Sequence, residues 1–61
     1  MSMSDPDEFD VIRLADGREG TVVEVYRVPD LPLAYEVEFD EGETETVKPE
    51  NIKEIIWKAK N

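Results

Sequence analysis

Neither cysteine nor histidine occurs among the 61 residues. That excludes disulfides, zinc sites built on thiolate or imidazole, and nucleophile pairs of the Ser–His and Cys–His kind. Serine is present only as Ser2 and Ser4, in a polar stretch unsuited to building a pocket. Glycine is confined to Gly17, Gly20 and Gly42, whose surroundings match neither a phosphate loop nor a dinucleotide fingerprint. Cations are scarce: 7 Lys and Arg stand against 16 Asp and Glu, a net charge of -9. A chain so charged repels polyphosphate, which argues against nucleic acid as the partner and for a basic protein. No apolar run approaches the roughly 20 residues of a membrane helix. Residues 1–8 carry neither the cationic nor the apolar block of a signal or transit peptide, so the expectation is a cytoplasmic protein with no membrane association.

What is present fits one small domain. At 61 residues a chain buries only about 60% of the surface it exposes when unfolded, and a single core of this size supplies roughly 3 to 5 kcal/mol. Residues 1–8 are small, polar and acidic, a composition expected to stay disordered because it buries too little to offset its ordering entropy. The domain is expected over residues 9–61.

Period-2 alternation marks the strands. In residues 9–14, Ile12 and Leu14 share one face, with Val11 and Arg13 on the other. Asp16-Gly17 is a turn signal and Gly20 a second flexible point. Residues 21–28 are rich in β-branched side chains, with Val23 and Val25 on one face and Val22, Tyr26 and Val28 on the other. A strand apolar on both faces is expected to curl or carry a bulge. Pro29-Asp30-Leu31-Pro32 ends it as an exposed loop; its PxxP spacing also fits a polyproline ligand, but a loop exit accounts for both prolines. Residues 33–39 alternate cleanly, Leu33, Tyr35, Val37 and Phe39 inward, Glu36 and Glu38 outward. Asp40-Glu41-Gly42-Glu43 reads as a hairpin loop and residues 44–48 as a fourth strand. Pro49 opens one helical turn; residues 52–58 read as a last strand that covers an open edge or, from the spacing of Ile52, Ile55, Ile56 and Trp57, as a helical turn, and the strand is preferred because so short a helix is marginal. Val23, Val25, Tyr35, Val37 and Phe39 are expected in one core; Trp57, near the end of the sequence, reads either as its closing plug or as an interface anchor, and in so small a barrel the plug is preferred.

This order of elements resembles an SH3-like barrel: all-β, about five strands, one short helical turn before the last. Val11-Ile12-Arg13-Leu14, followed by Gly17-Arg18-Glu19-Gly20-Thr21-Val22-Val23-Glu24-Val25, resembles the KOW-type opening. Ala34-Tyr35-Glu36-Val37-Glu38-Phe39-Asp40-Glu41-Gly42, with Thr46-Val47 and Glu50-Asn51-Ile52, is similar to a family of short bacterial SH3-like proteins of unknown function. KOW-type barrels that bind RNA bring cations to the opening loop, whereas here Asp16, Glu19 and Glu24 surround Arg18. The nucleic-acid role is therefore not carried over. Phe9, Tyr26, Tyr35, Phe39 and Trp57 are the only aromatics, too few beyond the core to build a polyproline groove.

No catalytic set and no cofactor are expected, because the carboxylates stand in loops or on wet strand faces. The acidic loop 40–43 does not match the calcium-loop template and reads as a plain turn. The acidic excess fits a solvated surface, adaptation to high salt, or a face that meets a basic protein. On the last account the partner-binding residues are Glu36, Glu38, Asp40, Glu41 and Glu43, and the chain is an inhibitor or antitoxin-like module. Two alternatives stand beside it: a KOW-like nucleic-acid module using Arg13, Arg18 and the C-terminal lysines, and an accessory domain of an enzyme complex. Lys48, Lys53, Lys58 and Lys60 are also what guards an edge strand against aggregation.

Overall fold

The computed structural model describes residues 5–59. Five strands, β1 (Val11–Leu14), β2 (Glu19–Tyr26), β3 (Ala34–Glu38), β4 (Thr44–Val47) and β5 (Ile52–Trp57), form one antiparallel sheet in the order β4-β3-β2-β1-β5. A 3-10 turn over Pro49–Asn51 precedes β5. The fold is thus all-β, with the helical turn where the sequence places it. Two glycines supply the positive φ that the tight reversals need: Gly17 at 97° between β1 and β2, and Gly42 at 84° between β3 and β4. The Gly42 N–H donates to the Phe39 carbonyl at 2.9 Å, and Phe39 N–H to the Glu43 carbonyl at 2.8 Å.

All five strands contribute to one concave core. Ile12, Leu14, Val22, Tyr35, Val37 and Val47 are buried, and Val25, Leu33, Phe39, Ile52 and Ile55 pack against them. The sheet therefore curls around a single interior. The faces of β1 and β3 follow the alternation of their sequence; β2 does not. Its register slips between Val22 and Glu24 against β3, so Val23 is an extra residue and the inward set passes from Val22 to Val25. The expected core member Val23 is replaced by Val22, and the strand's apolar residues on both sides are accounted for by the bulge.

Trp57 is not a core plug: it is 57% exposed. The pairing of β1 with β5 also slips, with Ile55 opposite Ile12 but Trp57 opposite Val11. Ile56 is the extra residue, Ile55 and Ile52 close the core, and Trp57 falls on the outer face beside Val11. Gly20 lies buried inside β2 instead of acting as a loop hinge.

The segment before β1 is also placed from Asp5 onward, where a disordered tail was expected to residue 8. Pro6 is buried, and the Asp7 N–H donates to Asp10 Oδ2 at 2.8 Å. Residues 1–4 of that expected tail lie outside the described residues. Phe9 follows with φ 73°, a left-handed conformation that a bulky side chain adopts at a cost of about 1 to 2 kcal/mol. Its ring is 60% exposed, so little packing offsets the strain. Phe9→Asn, which suits left-handed backbone, should leave the domain at least as stable and raise stability by up to about 1 kcal/mol. Urea midpoints of the two proteins measure this; a clear loss would mean that the exposed ring is holding the segment in place.

Candidate partner-binding face

Alternation along β3 turns Glu36 and Glu38 away from buried Tyr35 and Val37, onto the outer surface. Register then sets their neighbours. Glu36 lies opposite Glu24 of β2 and Thr46 of β4, and Glu38 opposite Thr21 and Thr44. Asp40, Glu41 and Glu43 are exposed in the hairpin loop beyond β3. With Arg18, Glu19 and Phe39 they border an open recess of 310 Å³. The five predicted residues thus divide: Glu36 and Glu38 join Glu24 on the sheet face, while the hairpin acids stand at its end, around the Phe39 rim.

Two like charges directly opposite each other destabilise a sheet, and Glu24 faces Glu36. Hydroxyl donors hold the charge in place. Thr46 Oγ1 donates to Glu36 Oε1 at 2.9 Å and the Tyr26 hydroxyl at 3.4 Å. Hydrogen bonds from Thr44 and Thr46 hold the Glu36 carboxyl below the usual glutamate range, outweighing the opposing effect of partial burial. Glu36 therefore stays ionised beside its like-charged neighbour.

The cations of the opening strand and loop are occupied. Arg13 bridges Glu19, at 2.8 Å, and Glu54. Arg18 lies between Asp16 at 2.9 Å and Glu45 at 3.0 Å, with its guanidinium 4.7 Å from the centre of the Phe39 ring. The hydrogen bonds that Arg13 donates to Glu19, and that Arg18 donates to Glu45 and Asp16, raise the pKa of both guanidiniums. Strands β2, β3 and β4 themselves contain Glu19, Glu24, Glu36, Glu38 and Glu45 and no Lys or Arg. Among the C-terminal lysines, Lys53 stands exposed on the edge strand β5, whereas Lys58 turns inward to Asp10 and Lys60 lies outside the described residues.

Asp10 has a structural role that the sequence reading missed. It is fully buried and accepts from three donors: Asp7 N–H at 2.8 Å, Ala59 N–H at 2.9 Å and Lys58 Nζ at 3.0 Å. Burial pushes its carboxyl up, but the two backbone donors and Lys58 together bring it below the ordinary aspartate range. The signal was present: Asp10 is in phase with Ile12 and Leu14, and a charge on an inward phase must find partners or stay out.

Among the described residues, no group of three or more carboxylates is placed to hold a metal ion, and no helix is long and apolar enough to cross a membrane. Comparison with protein-family models, curated proteins and solved structures gives no match.

Proposed function

We propose that this chain is a non-catalytic binding module, an SH3-like barrel whose acidic outer face meets a basic protein in the cytoplasm. The role is that of an inhibitor or antitoxin-like neutraliser of a cationic protein. The observation that carries the reading is the charge pattern of three adjacent strands: β2, β3 and β4 hold five glutamates and no cation. Glu36 and Glu38 give that face its outward charge, and Asp40, Glu41 and Glu43 extend it along the hairpin. The strand order, with β1 between β2 and β5, and the 3-10 turn before β5 support the barrel reading. The clamping of Arg13 and Arg18 by carboxylates weighs against phosphate binding, because a cation already paired must give up its carboxylates before it can neutralise a phosphate.

Charges at the rim of an interface act chiefly on association rate and its salt dependence. The double variant Glu36→Lys/Glu38→Lys should therefore bind an arginine-rich peptide with an association rate about tenfold or more slower at low salt. Its melting temperature should change little, since both residues point outward. Stopped-flow titration with that peptide and with a mixed-sequence RNA oligonucleotide tests the reading. Tight RNA binding that is lost in Lys48→Glu/Lys53→Glu would overturn it in favour of the nucleic-acid alternative.

A further inference from the structure

We infer that Trp57 is the apolar anchor of this same face, so that the basic partner segment carries an aliphatic or aromatic side chain among its cations. The inference rests on the acidic-face reading and adds a second chemistry to it. Strand pairing places Trp57 opposite Val11, Val11 opposite Thr21, Thr21 opposite Glu38, and Glu38 opposite Thr44. Residues directly opposite share a face, so one row runs across the whole outer sheet from the tryptophan to the acidic strand. Three strand spacings separate Trp57 from Glu38, about 14 Å along the sheet. An extended segment of four or five residues spans that distance.

The floor of the row suits such a segment. Val11 and Thr21 between the two ends are half-buried and small, and Val23, the bulged residue of β2, is half-buried outside the core. Trp57 itself is 57% exposed and its neighbour Ile56 42%, and an indole left on the surface of a small domain is the side chain that most often dominates an interface. Charge decides the occupant. A second copy of this chain would bring a further -9 to a molecule already at -9, whereas a cationic segment is attracted to Glu24, Glu36 and Glu38 while its apolar side chain covers the indole.

Trp57 is the only tryptophan, so its fluorescence reports this face alone. Two peptides of equal length, each with four arginines, make the test: one is completed with serines, the other carries two leucines among them. The leucine peptide should bind about thirtyfold more tightly, shift Trp57 emission to the blue and protect it from acrylamide. Trp57→Ala should bring the leucine peptide down to the affinity of the serine peptide without changing the latter. Glu36→Lys/Glu38→Lys should weaken both. Equal affinities for the two peptides, with Trp57→Ala changing neither, would overturn the anchor while the acidic-face reading stands. A blue shift that grows with concentration of the protein alone would overturn it in favour of a second copy. If neither peptide binds the unaltered protein, both readings fall.

Discussion

Replacing Asp10 with alanine should cost about 3 kcal/mol or more, a large part of what a core of this size supplies. The carboxylate is fully buried and takes hydrogen bonds from Asp7, Ala59 and Lys58. Its removal takes the acceptor from two part-buried backbone N–H groups at the meeting point of the segment before β1 and the end of β5, while the half-exposed Lys58 ammonium falls back on water and Asp7. Each buried donor left without an acceptor costs about 1 to 3 kcal/mol. Asp10→Asn, which keeps the shape and one acceptor oxygen, should cost less. Acid gives an independent check. Because the native pKa lies below the ordinary value of 3.8, the carboxylate's contribution is fully present above that value and is lost as pH falls through the lowered native one. Urea unfolding over a pH series should show the gap between the natural protein and Asp10→Asn narrowing in that acid window. Parallel curves across it would show that the charge of Asp10 contributes nothing.

Gly20→Ala should be comparably damaging, at about 1 to 3 kcal/mol and more where the backbone cannot yield. A β-carbon at that position would lie 2.6 Å from Val37 Cγ1, 2.8 Å from the Glu38 carbonyl oxygen and 3.0 Å from Phe39 Cδ1. The carbonyl belongs to the β3 backbone, which is fixed by its pairing on both sides, to β2 and β4. Relief requires β2 and β3 to part where the core is tightest. Gly17→Ala provides the contrast: nothing lies within 4 Å of its added carbon, so its cost is that of the positive φ alone. Thermal melts of the two variants should differ in kind, Gly20→Ala losing cooperativity and Gly17→Ala shifting its midpoint. A Gly20→Ala protein that melts like the natural one would show that the strands open easily there.

The physical reasons for these effects divide what the sequence could and could not tell. Strict alternation put Ile12 and Leu14 together on one face of β1 and identified Tyr35 and Val37 as interior and Glu36 and Glu38 as exterior in β3, because a side-chain period of 2 admits only two assignments; that the Ile12 face of β1 is the inner one came from the structure. Pro49 and the acidic Gly42 loop were equally legible as punctuation. Failures cluster where register slips. One extra residue in β2 exchanged Val23 for Val22, and one in β5 turned Trp57 outward; the two apolar faces of β2 announce a bulge without fixing its position, and the β5 slip has no local sequence mark, since each is set by pairing with another strand. Gly20 was misread for a related reason: a glycine needed for close approach looks, in sequence, like one needed for a turn. The acidic face was half legible. Its β3 members followed from alternation, but the placing of Glu24 opposite Glu36, and of Trp57 in a row with Glu38, required the register.

The pairing of β1 with β5 has a mechanical consequence. The two strands are antiparallel, and Val11 meets Trp57 at the corner from which both ends of the folded chain emerge. Tension applied at those ends does not shear the pair along its length; it acts across the hydrogen bonds and loads them one rung at a time. The Asp10 clasp to Asp7, Lys58 and Ala59 is the first rung, and the β1–β5 ladder opens behind it like a zip. Pulled by its ends, the domain should yield at low force from that corner, and the β2–β3–β4 sheet with its glutamates should be the last part to come apart.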